Sequence, residues 1–239
     1  MTINNQEILR MLEFHKPKRE LSAVIQGHQE KIKYIMGLQN PGETKDLITI
    51  AHEFKELVKL NEDELEDRYL TRVKQQYPDF KLSLEDGDIH ASLYRYEGDT
   101  LPDFPPGLKG LKIEYCKNIE VLPDFPSSLK DLSIKSCRNL KTLPEFPSGI
   151  EYLKIEYYEN LEALPQLPNL KKLGIMCCPN LGSIPEFPPG LDSLSIWDCE
   201  NLEALPEFPS SLEKLTVEYC HKLNRETRDR IKNYKGKKL

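Results

Sequence analysis

From Leu101 onward the apolar positions fall into one recurring phrase, written six times. Its first half is a proline-bracketed opening: Leu101-Pro-Asp-Phe-Pro105, Leu122-Pro-Asp-Phe-Pro126, Leu143-Pro-Glu-Phe-Pro147, Leu164-Pro-Gln-Leu-Pro168, Ile184-Pro-Glu-Phe-Pro188 and Leu205-Pro-Glu-Phe-Pro209. The second half reads L-x-x-L-x-[IV]-x-x-C-x-N-[LI], beginning in the first copy at Leu108. Within it Leu111 and Ile113 alternate with polar residues, as do Leu132/Ile134, Leu153/Ile155, Leu173/Ile175, Leu194/Ile196 and Leu215/Val217. Alternation of this kind predicts a short strand with one buried face. One such strand cannot bury its apolar face alone, so the copies must stack in parallel and share a core. Two prolines in each opening fix two φ angles and remove two N–H donors, which predicts an extended, polyproline-like return and excludes a helix there.

A period of 20 or 21 residues with this leucine pattern is the signature of a leucine-rich repeat. The predicted fold is therefore α/β: a leucine-rich repeat solenoid over residues 101–224, with short parallel strands and a polyproline-like convex side, preceded by a small helical domain over 1–78. In that domain Ile8, Leu9 and Leu12 form a short stripe, a longer helix is predicted over 19–36, and Thr44 suits the cap of a third carrying Leu47, Ile48, Ala51, Phe54, Leu57 and Val58. Asn61 with Glu64 makes a capping-box pattern for a fourth helix through about Gln76, stopped by Tyr77-Pro78. Over 79–100 the period becomes alternating. Leu82 and Leu84, then Ile89, Ala91 and Leu93, flank Glu85-Asp-Gly-Asp88, a hairpin turn expected to cap the open edge of six parallel strands. Residues 1–100 are thereby expected to dock on the solenoid. Over 225–239 the expectation is a capping helix with Asn224 as N-cap, then a frayed end from Gly236.

Charge narrows the function classes. Formal balances are −5 over residues 1–100, −7 over 101–220 and +6 over 221–239. An acidic repeat surface argues against nucleic acid as a partner. The basic tail reads as a solvated terminal helix. No apolar run approaches the roughly 18 residues of a membrane span, and the first residues lack the pattern of a Sec signal peptide. Cys116, Cys137, Cys178, Cys199 and Cys220 occupy the same slot of different repeats, with Tyr158 in the third. Spacing by coil predicts a ladder of small buried thiols, neither disulfides nor a metal site, in a reducing compartment. Asn118, Asn139, Asn160, Asn180 and Asn201 form a second ladder suited to bonding backbone groups at the turn.

No phosphate loop, H-E-x-x-H, C-x-x-C or G-x-S-x-G is present, and the chain is read as neither an enzyme nor a cofactor protein. The alternative, a small enzyme within the helical domain, has only material such as His52 and Glu53 to draw on. What remains is the concave face. Side chains flanking each buried pair point outward there, and the candidate partner-binding residues are Tyr115, Tyr157, Met176, Trp197 and Tyr219 as apolar anchors, with Glu114, Glu156, Asp198 and Glu218 setting charge preference.

The L-P-x-[FL]-P opening, the 20–22-residue unit and the preceding helical segment resemble bacterial leucine-rich repeat effectors, such as the Yersinia outer protein M type and the secreted ubiquitin ligases of Shigella and Salmonella. Asn224-Arg-Glu-Thr-Arg-Asp-Arg-Ile231 is similar to the segment after the repeats in those ligases. The ladder cysteine, with asparagine two residues on, departs from that pattern and resembles repeats of plant immune receptors and of effectors from Legionella. A ligase domain and the receptors' nucleotide-binding domain are both missing from the pattern. The resemblance implies delivery by a bacterium into host cytosol and capture of a host protein on the solenoid; with the first residues read as above, export is expected without a Sec signal peptide, and the expected state is a monomer.

Overall fold

The computed structural model describes residues 62–86, 88–105 and 107–238. The helices expected before residue 61, the Asn61 cap, and His52 with Glu53 lie outside those residues. The chain divides into two units, Met1–Gln76 and Tyr77–Leu239. In the first, helix α1 (Glu62–Gln76) ends where Tyr77-Pro78 was expected to stop it. Tyr69 and Val73, four residues apart, share its buried face.

In the second unit one sheet of nine strands runs in chain order: β1 (Lys81–Glu85), β2 (Asp88–Tyr94), β3 (Leu108–Glu114), β4 (Asp131–Lys135), β5 (Tyr152–Glu156), β6 (Lys172–Met176), β7 (Ser193–Trp197), β8 (Lys214–Glu218) and β9 (Lys237–Lys238). It is a parallel-strand solenoid. Register follows the repeat without slip: Leu111 faces Leu132, then Leu153, Leu173, Leu194 and Leu215, while Ile113 leads through Ile134, Ile155, Ile175 and Ile196 to Val217. A slip of one residue would turn every one of these side chains to solvent, so burial itself holds the register. Between β2 and β8 the described residues of the return segments contain no helix.

Three further devices tie the coils together. The ladder cysteines are free and buried, and each aims its thiol at the carbonyl two residues back, from Cys220 Sγ to Glu218 O at 3.3 Å up to Cys199 Sγ to Trp197 O at 3.7 Å. The asparagine ladder reaches back one coil: Asn118 Nδ2 donates to Glu97 O at 2.7 Å, Asn160 Nδ2 to Arg138 O at 2.6 Å and Asn180 Nδ2 to Glu159 O at 2.7 Å. Where the sixth copy has Lys222 instead, its Nζ donates to Asn201 Oδ1 at 2.7 Å and continues the ladder. On the return side the phenylalanines of the openings stack, Phe104 to Phe125 to Phe146, with Phe80 tilted against Phe104 at the start and centroids 6.2 Å apart at every step. The spine resumes after Leu167 with Phe187 and Phe208, and Tyr234 closes it edge-on at 6.0 Å.

Two expectations about the ends need correction. The hairpin does form, with Glu85 opposite Asp88 and Asp86 at φ 51° in the two-residue turn. Its second strand, however, is no mere cap. β2 pairs in parallel with β3, Ala91 beside Leu111 and Leu93 beside Ile113, so the parallel array begins one strand before the six repeats, β2 acting as a degenerate first coil. β1 alone covers the edge. At the other end Lys237–Lys238 is not frayed backbone, because it pairs with Lys214 and Leu215 and extends the sheet past β8. Between them α2 (Arg225–Asn233) starts at Asn224, whose Oδ1 accepts from Thr227 N at 2.8 Å.

Candidate protein-binding face

The strand residues between the buried pairs form rows across the open face of the sheet. Along the row nearest the strand ends stand Tyr94, Glu114, Lys135, Glu156, Met176, Trp197 and Glu218, neighbours by register from β2 to β8. Next along the chain come Arg95, Tyr115, Ser136, Tyr157, Cys177, Asp198 and Tyr219, and here the structure departs from simple alternation. All seven are left-handed, with φ between 53° and 59°. None is glycine, although this conformation costs an ordinary residue roughly 1–3 kcal/mol. From Arg95 to Asp198 each corner N–H still donates to the next coil, for example Tyr115 N to Lys135 O at 2.9 Å and Asp198 N to Glu218 O at 3.0 Å. The kink drops the ladder residue that follows into the core and folds the corner side chain back over the face.

Corner rings therefore meet strand rings of the preceding coil. Tyr115 lies edge-on to Tyr94 at 5.4 Å, and Tyr219 lies against Trp197 at 4.9 Å. The predicted anchors thus gather as two groups, Tyr115 with Tyr157 toward the start of the array and Trp197 with Tyr219 toward its end. Met176 stands between them, in register with both Glu156 and Trp197. Tyr157 and Tyr219 are 46% and 54% exposed, which leaves apolar area open to a partner.

Charges divide the same way. Lys135 Nζ sits 5.9 Å from the Tyr115 ring and 5.6 Å from the Tyr157 ring. Glu156, and after it Tyr115, hold its ammonium above the ordinary lysine range. Glu156 itself is only 7% exposed, with Oε1 3.1 Å from Lys154 Nζ, so its charge is largely spent inside the molecule. Asp198 and Glu218 join no ion pair among the described residues. Cys177 is half-buried, and burial together with the Asp198 carboxylate pushes its thiol up, which makes it a poor nucleophile near neutral pH.

Sequence reasoning passed over Tyr94 and Lys135 as site residues. Tyr94 is 58% exposed and carries Arg95 over its ring at 5.2 Å. The alternation Ile89, Ala91, Leu93 already placed it on the polar face, but its strand was read as a cap. Nearer the strand starts, His90, Lys112, Asp131, Ser133 and Tyr152 are among the residues lining a hollow of about 250 Å³. There the His90 ring crosses Gly110, where any Cβ would overlap Nδ1. Among the described residues no three His, Cys, Asp or Glu side chains converge in a way that would hold a metal, and no helix is long and apolar enough to cross a membrane. No protein-family model and no curated protein matches this sequence.

Proposed function

We propose that the solenoid is a leucine-rich repeat array acting as a protein-binding module, with the open sheet face and its corner aromatics as the contact surface. The observation that carries this reading is the seven left-handed corners, which spend backbone strain to hold large side chains such as Tyr115, Tyr157 and Tyr219 over a rigid sheet. Core packing does not need those rings, since the buried pairs and the thiol ladder close the interior without them. In this reading the chain is not an enzyme. It is an adaptor of the bacterial effector kind, and in host cytosol it captures a host protein. The L-P-x-[FL]-P openings support that assignment, and the acidic array favours a protein over nucleic acid.

Replacing Trp197 and Tyr219 together by alanine should weaken partner binding by more than about 2 kcal/mol. The melting temperature should hardly move. The measurement is a pull-down from host lysate with wild type and double variant side by side, followed by affinity measurement on the captured protein. A partner held equally by both would place the contact elsewhere on the chain.

A further inference from the structure

Glu-Tyr occurs at the same place in three coils: Glu114-Tyr115, Glu156-Tyr157 and Glu218-Tyr219. The first two pairs straddle a lysine. Lys135 is the strand neighbour of both Glu114 and Glu156, and its ammonium lies over both tyrosines. At the third pair the neighbouring strand position holds Trp197, in register with Glu218 and with its ring 4.9 Å from Tyr219. Asp198 follows, bonded through its N–H to Glu218 O, and adds a second carboxylate. Among the described residues no lysine or arginine pairs with either carboxylate or lies over either ring.

We propose that the Trp197–Tyr219 end of this face takes a lysine or arginine side chain presented by a partner protein. The inference rests on the protein-binding reading above and narrows it to a class of contact. Faces of aromatic rings attract a cation through their quadrupole, indole most strongly, and two carboxylates reinforce that attraction while apolar walls limit its screening. The molecule already uses this arrangement once, with its own Lys135 as the cation. At the third pair a tryptophan replaces the lysine, so the same chemistry turns toward a cation from outside.

Trp197 is the sole tryptophan, so its emission reads the site directly in the full chain. The probe is an acetylated, amidated decapeptide of alternating serine and arginine, with lysine and citrulline versions alongside. Arginine and lysine peptides should change the emission saturably, and the citrulline peptide should bind at least about tenfold more weakly. Asp198→Asn with Glu218→Gln should weaken the arginine peptide by about tenfold or more. Glu162→Gln with Glu186→Gln, which removes equal charge from the return segments, should change it by less than about twofold. Equal binding of citrulline, equal loss in both double variants, or no saturable change would overturn the proposal. Panning a random dodecapeptide phage library on the wild type separates this failure from that of the broader reading. Selected peptides that lack lysine and arginine yet lose binding to the Trp197→Ala, Tyr219→Ala variant sink the cation assignment alone. Peptides indifferent to that variant sink both.

Discussion

At the scale of single residues, the ladder slot shows what one substitution costs. Tyr158 stands where the other coils have cysteine; it is fully buried, and its hydroxyl has no hydrogen-bond partner. Burial, with Cys137 and Cys178 beside it, pushes the phenol up. A buried unpaired hydroxyl costs roughly 1–3 kcal/mol, so Tyr158→Phe should raise stability by about 1 kcal/mol in urea denaturation. A loss of stability would mean that a water satisfies the group. The thiols predict a pH effect. Cys199 is pushed up to about 12 from an ordinary 9.0, first by its bond with Cys178 and then by burial. Its proton is held more tightly in the folded than in the unfolded chain, so the stability it contributes is complete below pH 9 and lost as pH rises toward 12. Cys116 runs the other way, lowered to about 7 because the Cys137 thiol bonds to it, so wild type alone would mix the two effects. The difference between wild type and Cys199→Ala leaves the Cys116 effect out and keeps that of the raised thiols, Cys199 and the Cys220 thiol hydrogen-bonded to it. It should be flat from pH 7 to about 8.5 and shrink above 9; a difference that grows with pH would refute the assignment.

At the scale of elements, the ends of the array decide more than their sequence suggested. α2 reads as a solvated basic helix, and most of it is. Arg230 is the exception: its guanidinium donates to Leu205 O at 2.6 Å, Pro206 O at 3.1 Å and Glu207 Oε1 at 2.7 Å while lying 5.6 Å from the Phe208 ring centre. It satisfies carbonyls of the last return segment that no further coil would reach. Arg230→Met keeps the stacking bulk and removes the donors, and should cost about 2 kcal/mol by thermal or urea denaturation, since bonds to charged groups contribute roughly 1.5–3 kcal/mol. A cost below about 0.5 kcal/mol would reduce Arg230 to an ordinary surface ion pair. The same logic applies at the start, where β1 shields the edge that β2 would otherwise leave open.

At the scale of the whole molecule, each coil touches mainly its neighbours, so a defect in one strand is felt along the stack. Ile134 is fully buried in β4, and Ile134→Asp should abolish cooperative melting in calorimetry, because an unpaired buried charge costs several kcal/mol. Retention of a normal transition would mean the coils are energetically independent. The repeat length, the strand pairs, both ladders and the Asn224 cap were all legible in the sequence because each follows from a local rule: alternation for strands, missing N–H groups for extended returns, side-chain oxygens for caps. The candidate anchors were legible for the same reason, as outward positions of a known period. What only the tertiary structure decided depends on neighbours distant in sequence. β2 joined the parallel array because Ala91 and Leu93 lie beside Leu111 and Ile113, although its own turn marks it only as a hairpin strand. The left-handed corners arose from stacking, since no residue type at those positions asks for positive φ. Which charges stay available followed from contacts across coils: Lys154 occupies Glu156, while Asp198 and Glu218 have no such neighbour among the described residues. Alternation chooses the face on which a side chain lies, but only the register between strands chooses what lies beside it.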